Sequence, residues 1–366
     1  SNNKKILKLE DPQALTVEQK LAIEKYKDLP SGSSLLLWGV TGSGKTEVYQ
    51  QIAAIELSAR RHCLILTPEI GLVPQLVDRF RRRFGCNVFE YHSNCSLKEK
   101  IDTWKRSLET STPSVFIGTR SAIFLPLSNL GLIVLDEEHD SSYKQESPMP
   151  CYHARDLAIH RAKKIGAKVI LGTATPSLKI WKNIKPGGNI AVAKLNRRIL
   201  NRRLPTVSVV DMRTELAIGN RSLISGYLKK QLLNIKDSGN QAIILVPRRG
   251  YSSFISCRSC GEVVQCPHCD VALTVHRSKE GNQWLRCHWC DFRSKVSDKC
   301  SECGSKAFKP FGTGTQRVMD HLKRELEDIN LLRFDRDTTR GRDGHRLLLE
   351  KFADGDADIL VGTQML

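Results

Sequence analysis

The sequence predicts an α/β protein with two parallel-sheet lobes and a cysteine-rich module set into the second. Three observations carry this. Short, unbroken apolar runs alternate with helical patterns, and strands apolar on both faces belong to parallel sheets covered by helices. The pattern runs once through "SSLLLWG", "HCLILTP", "SVFIGT", "LGLIVLDEEHD" and "AKVILGTATPS", then restarts after "RRLP" with "TVSVVDM", "QAIILVP", "INLLRFD" and "ADILVGT". Within residues 257–303, eight of the 12 cysteines form four Cys-x-x-Cys pairs. The expected domains are residues 1–205 for lobe 1, 206–251 for the first part of lobe 2, 252–310 for the inserted module and 311–366 for the second part of lobe 2.

The elements follow in order. "PQALTVEQKLAIEKYKD" has apolar residues at helical spacing, with Thr16 as N-cap. "SSLLLWG" is a buried strand that runs into a turn, and "EVYQQIAAIELSARR" is the helix after it. The remaining apolar runs are strand-length, and helical stretches separate most of them. The chain opens "SNNKK" and stops at "VGTQML", so both ends read as cut from a longer polypeptide, with the second lobe truncated.

Composition narrows the partners. Of 366 residues, 57 are Lys or Arg and 39 are Asp or Glu, a formal net charge of +18. Such an excess favours a polyanion, nucleic acid ahead of an acidic membrane surface. No apolar run approaches the ~18 residues a membrane span needs. A cytoplasmic protein with no membrane partner is expected.

The turn after the first strand carries chemistry. Gly39-Val40-Thr41-Gly42-Ser43-Gly44-Lys45-Thr46 has the spacing of a phosphate loop. Glycines let backbone N–H groups face phosphate oxygens, and the following helix N-terminus favours negative charge. Lys45 is expected on the β- and γ-phosphates of ATP, and the Thr46 hydroxyl on Mg²⁺. "LIVLDEEHD" supplies acids at the C-terminal end of a buried strand, where open α/β sheets bind ligands. Asp136 is expected to hold the Mg²⁺, and Glu137 to orient and polarise the attacking water.

The module reads Cys257-x2-Cys260-x5-Cys266-x2-Cys269-x17-Cys287-x2-Cys290-x9-Cys300-x2-Cys303. Eight thiolates suit two tetrahedral Zn²⁺ ions. The four pairs can group sequentially, nested or interleaved. The inner four have a zinc-ribbon spacing. Closing that ribbon brings the outer flanks together, whereas sequential grouping would crowd two knuckles five residues apart. The nested grouping is favoured: Cys266/Cys269/Cys287/Cys290 and Cys257/Cys260/Cys300/Cys303. His268, His276 and His288 are expected to face solvent. Cys63, Cys86, Cys95 and Cys151 are scattered, with no obvious partners.

"DEEHD" with "GTATPS" resembles the second and third motifs of superfamily 2 helicases. "DEEHDSSYKQ", "YHARDLA", "GTATPS", "RRGY" and "VGTQML", around the eight cysteines, are similar to the PriA family of bacterial replication-restart helicases over nearly the whole chain. The resemblance implies two RecA-like lobes that close on ATP, with Gln19 reading adenine. It implies a single-stranded DNA track at Thr67, Pro68 and Glu69 and at Thr119, Arg120 and Ser121. Thr173 and Thr175 would link the hydrolysis state to lobe movement. Tyr143 and Tyr152 would stack on bases, beside the charges of Lys144 and Arg155. It supports the nested zinc grouping. It also implies a monomer moving 3′-to-5′, with branched and single-stranded DNA, primosome proteins, single-stranded DNA-binding protein and the replicative helicase loader as partners. The basic runs at Arg79, Arg81, Arg82 and Arg83 and at Arg197, Arg198, Arg202 and Arg203 read as solvated faces. A rival is a zinc-dependent primosome assembly module with a vestigial ATPase, against which the intact phosphate loop, "DEEHD" and Gln19 argue. An arginine downstream of "VGTQML" is expected to complete the ATP site, so the chain alone is expected to hydrolyse ATP negligibly.

Overall fold

The computed structural model describes the chain except residues 1–8, 86, 110, 185–187, 247–252, 278–281, 307, 312–314, 327, 336–337, 339–343 and 364–366. The "RRGY" stretch, Cys86 and the last three residues of "VGTQML" lie outside the described residues. The chain divides into two compact units, Ser1–Pro205 and Thr206–Leu366.

The first unit begins with α1 (Val17–Lys27), which Thr16 caps in a full capping box with Gln19. Then come β1 (Ser34–Gly39), α2 (Lys45–Ser58), β2 (His62–Leu66), α3 (Val73–Phe84), β3 (Val88–Tyr91), α4 (Leu97–Leu108), β4 (Val115–Gly118) and β5 (Leu130–Asp136). A short hairpin, β6 (Lys144–Gln145) and β7 (Tyr152–His153), precedes α5 (Ala154–Ile165), β8 (Lys168–Thr173), α6 (Leu178–Asn183) and β9 (Ile190–Leu195). Seven of these strands make one parallel sheet in the order β3-β4-β2-β5-β8-β1-β9. All five runs expected as strands here are inside it. The sequence reading missed both edge strands, β3 and β9. Their burial is only partial, so neither shows the unbroken apolar run of the central strands.

Side-chain alternation along β1 explains the two cores. Leu35 and Leu37 pack with Val48 and Ile52 of α2 on one face. Leu36 packs with Ala158 of α5 on the other. Strand side chains point to opposite faces with period two, so an all-apolar strand needs helices on both.

The second unit holds α7 (Met212–Ala217), α8 (Gly226–Asp237), β10 (Ala242–Leu245), β11 (Ser253–Cys257), β12 (Thr274–Arg277), β13 (Gln283–Arg286), β14 (Arg293–Lys295), β15 (Phe308–Phe311), α9 (Thr315–Glu325), β16 (Leu331–Phe334), α10 (Gly344–Ala353) and β17 (Ile359–Gly362). It contains a parallel sheet, β10-β17-β16, and an antiparallel one, β14-β13-β12-β11-β15. Val318, Met319 and Leu322 of α9 pack against Ile359 and Val361 of β17.

One expected strand is corrected. "TVSVVDM" pairs with no strand among the described residues; Val207 and Val209 are 85% and 93% exposed, and α7 begins at Met212. Alternating apolar residues favour a strand only where a neighbour buries them. The cysteine module therefore follows the first strand of the second parallel sheet, not its second. Among the described residues, no helix is long and apolar enough to cross a membrane.

Candidate nucleotide site and zinc module

The phosphate loop is built by two left-handed glycines. Gly42 and Gly44 both have φ of +79°, a region that side-chain-bearing residues rarely adopt. Gly44 caps the 14-residue helix α2, whose first turn carries Lys45 and Thr46. The Lys45 ammonium donates to the Gly39 carbonyl at 3.2 Å and lies 3.5 Å from Glu137 Oε1. Gln19 braces the loop from α1. Its Nε2 donates to the Ser43 and Gly44 carbonyls at 3.1 and 3.3 Å, while its Oε1 accepts from the Thr16 amide at 2.8 Å. Ser43 Oγ is buried with no hydrogen-bond partner among the described residues. Val40 and Thr41 are exposed at the rim.

Register brings the acids to this loop. Asp136 ends β5 opposite Gly172 of β8, and Gly172 stands opposite Leu37 of β1. The Tyr49 hydroxyl, fully buried on α2, donates to Asp136 Oδ1 at 2.9 Å. A Cβ on Gly172 would lie 1.7 Å from that hydroxyl, so glycine is what admits the ring. Burial pushes the Asp136 carboxyl up from the ordinary aspartate range; the Tyr49 hydroxyl and Lys45 oppose the rise, and the Glu137 charge adds to it. Glu137 has a φ of +48°, which turns the chain sharply after the strand.

The next two residues tie this turn to "GTATPS". His139 Nδ1 is 2.8 Å from Thr173 Oγ1, which also accepts from the Thr175 amide at 3.0 Å. Glu138 is fully buried and accepts from Arg155 Nη1 at 2.9 Å, the Ser177 amide at 2.7 Å and Ser177 Oγ at 2.9 Å. Sequence reasoning missed Tyr49, Glu138, His139 and Ser177. For Tyr49 a signal was present: it stands four residues after Lys45, on the same helix face.

Two residues expected at DNA are corrected. Tyr143 is fully buried in the core, its hydroxyl donating to the Leu66 and Asp136 carbonyls at 2.9 and 2.6 Å. It has no face free for a base. Arg155 is 5% exposed and neutralised by Glu138, because a buried charge must be paired. Thr119 and Arg120 are half-buried, and Arg120 Nη1 donates to the Ser142 and Lys144 carbonyls at 3.2 and 2.9 Å. Ser121 is half-buried as well, and Tyr152 meets Phe124 edge-on with centroids 4.9 Å apart. Lys144 is exposed and pairs with Glu146. Thr67 is buried, the Pro68 carbonyl accepts from Ser142 Oγ, and burial pushes the Glu69 carboxyl up.

The eight cysteines gather in two nested groups, Cys257/Cys260/Cys300/Cys303 and Cys266/Cys269/Cys287/Cys290, each with its sulfurs within 4.8 Å of one another. Cys257–Cys303, Cys260–Cys300 and Cys266–Cys290 sulfurs are 3.5, 3.6 and 3.5 Å apart. A tetrahedron with Zn–S bonds of 2.3 Å has edges of about 3.8 Å, so both groups fit Zn²⁺. Each knuckle turns on a left-handed residue just after its second cysteine: Gly261, Asp270, Asp291 and Gly304 have φ of +85°, +50°, +62° and +67°. In each, that residue's amide returns to the carbonyl of the first cysteine. His268 and His288 are exposed, as expected. His276 is instead half-buried and stacks on Trp284 at 5.7 Å. None of the three belongs to a sulfur group.

Comparison with known proteins agrees with this geometry. Residues 16–184 match the DEAD/DEAH box helicase family, and residues 266–295 match the PriA DNA helicase Cys-rich region domain. The chain is 49% identical over 356 residues to the replication restart protein PriA of Synechocystis sp., covering 96% of this chain and 43% of that one. It is 45% identical over 365 residues to the Bacillus subtilis protein of the same name, covering 99% and 45%. The chain thus spans less than half the length of these relatives. Among solved structures, RecG bound to a three-way DNA junction aligns with a TM-score of 0.50 at 18% identity, over 96% of this chain and 36% of that one. Mycobacterium smegmatis Lhr bound to single-stranded DNA and AMP-PNP aligns at 0.51 and 12%, over 97% and 42%. At such identities these two speak to the fold alone. The helicase-type sheet, the nested cysteine module inserted after β10 and the sustained identity to both relatives all lead to one assignment: the chain belongs to the PriA family.

Proposed function

We propose that this chain supplies the ATP-hydrolysing and zinc-bearing part of a DNA helicase that restarts replication in the bacterial cytoplasm. The observation that carries the reading is the convergence of Lys45, Asp136 and Glu137 at neighbouring strand ends, with Lys45 3.5 Å from Glu137 and Asp136 held by Tyr49. In this reading the loop amides and Lys45 take the β- and γ-phosphates of ATP, and Lys45 turns from Glu137 to the phosphate. Gln19, already fastened to the loop, carries the adenine contact. Thr46 and Asp136 would hold Mg²⁺, which neutralises charge on the phosphate oxygens. Glu137, the more exposed acid, orients the water that attacks the γ-phosphorus as the bond to the β-phosphate oxygen breaks. The contacts His139–Thr173 and Glu138–Ser177 carry a change at the acids to "GTATPS".

Single-stranded and branched DNA are the proposed polyanions, held by phosphate contacts along 67–69 and 119–121 and by stacking near Tyr152. Movement 3′-to-5′, action as a monomer, and contact with primosome proteins, single-stranded DNA-binding protein and the helicase loader belong to the same proposal. The two zinc sites cross-link the module's knuckles. The domain limits 1–205, 206–251, 252–310 and 311–366 are kept as its working division.

The test is steady-state ATP hydrolysis, with and without single-stranded DNA, by this chain and by a polypeptide of its relatives' length. DNA should stimulate the longer protein, and Lys45→Ala should abolish turnover. Hydrolysis indifferent to DNA would sink the proposal.

A further inference from the structure

One stretch meets the phosphate loop without a role in the chemistry above. Residues 196–203, "NRRILNRR", follow edge strand β9. By composition they read as a solvated basic face. Their backbone is fastened to the nucleotide site instead. The Ile199 amide donates to the Gly42 carbonyl at 2.9 Å, and the Arg197 amide donates to Glu18 Oε2 at 3.3 Å. The Arg198 guanidinium lies 3.1 Å from where a Cβ on Gly42 would stand, and the Ile199 side chain 3.2 Å from the same point on Gly44. The segment therefore flanks both left-handed glycines of the loop, and Gln19 lies against Gly44 as well.

Arg198 is held but not satisfied. One terminal nitrogen donates to the Arg203 carbonyl at 2.9 Å. Among the described residues its buried Nε has no partner and Arg198 forms no ion pair. Leaving a buried charged donor unpaired is costly. The turn that returns the chain to Arg203 is strained too: Leu200 and Asn201 have φ of +60° and +50°. A leucine in that region is uncommon, and such strain gathers where surrounding contacts impose it, often at ligand sites. A guanidinium set against Gly42 of the phosphate loop with a donor left over fits an anion with several oxygens.

We infer that Arg198 is a nucleotide-binding residue whose guanidinium contacts the phosphate groups of a nucleoside triphosphate held in the loop 39–46. The inference rests on the nucleotide reading above and adds a residue to it. Phosphate, not the base, is the proposed contact, because charge and an unpaired donor are what Arg198 offers.

The experiment titrates the chain with fluorescent mant-ATP and mant-GTP in the presence of Mg²⁺, following melting temperature in parallel. Arg198→Ala should weaken both nucleotides by about tenfold or more, the scale of a lost hydrogen bond to a charged group. Arg198→Lys keeps the charge and should recover part of the loss. Arg202→Ala, at an exposed neighbour, should change nothing. If Arg198→Ala melts early, Arg198→Gln, which keeps length and loses charge, should still show the loss. Binding within twofold of the unaltered chain for both Arg198→Ala and Arg198→Gln overturns the inference. Loss for mant-ATP alone also overturns it, since that marks a base contact. Failure of the unaltered chain to bind either nucleotide, or full binding by Lys45→Ala, instead defeats the nucleotide reading and takes the inference with it.

Discussion

Tyr49 reaches Asp136 because residue 172 is glycine, and that contact opposes the larger effect of burial on how easily Asp136 ionises. Burial resists the charge, and the hydroxyl donates to the charged form. Tyr49 remains a donor throughout, because its own burial pushes its ionisation far up. Tyr49→Phe removes the donor and leaves the ring. The Asp136 pKa should then rise further, and with it the acidic limb of the ATPase pH profile, if the carboxylate is the form that holds Mg²⁺. A hydrogen bond to a charged group, about 1.5–3 kcal/mol, corresponds to about one to two pH units. The check is kcat/KM against pH, with and without Tyr49→Phe, in the polypeptide of the relatives' length; a limb that stays put or moves to lower pH contradicts it. At this scale the sequence was legible where a residue's job is local. The loop spacing Gly39 to Thr46 states a backbone requirement that any reader of the chain can see. Tyr143 and Arg155 were not legible: a tyrosine beside an acidic turn is spelled the same whether it faces a base or the Leu66 carbonyl. What decides is packing across the sheet.

Among the elements, the end of β5, the start of α5 and the N-terminus of α6 meet at one buried ion pair, Glu138 with Arg155, and at Ser177, which caps α6. The hairpin β6–β7 hangs between Tyr143 and Arg155, so both of its roots are anchored beside the acids. The central strands were readable because apolar runs on both faces have one common solution. "TVSVVDM" was misread because a strand is a pairing, and composition does not supply the partner. The cysteine knuckles were readable down to the turn: "CRSCG", "CPHCD", "CHWCD" and "CSECG" each place Gly or Asp where φ must be positive. The nested grouping makes a clean prediction for zinc content by elemental analysis. The chain should carry two ions. Cys266→Ser with Cys287→Ser together should leave one, since both serve the same site. Cys257→Ser with Cys266→Ser should leave none. Sequential grouping would reverse the two double variants, so the pair of measurements decides between them.

Across the whole molecule, charge is the property that survives internal bookkeeping. Ion pairs consume acids and bases one for one, so the buried pair Glu138–Arg155 and the half-buried pair Glu47–Arg83 leave the excess of +18 untouched. That excess has to be met by counterions or by a polyanion. Single-stranded DNA releases its own counterions on binding, with a slope in log affinity against log salt of about −0.7 for each phosphate neutralised. Contact with about five phosphates then gives a slope near −3.5, and roughly a hundredfold loss of affinity between 50 and 200 mM salt. Stacking on base faces tolerates any base, so affinity should vary little between sequences of equal length. Fluorescence anisotropy with labelled oligonucleotides at several salt concentrations reads both quantities. The sequence comparison must be made with unstructured strands, because folded ones would mimic specificity. A shallow salt slope would mean that the basic surface is not the contact. A strong preference for one sequence would mean that base edges are being read. Either would remove the reason to connect this charge with a helicase's indifferent grip on its track.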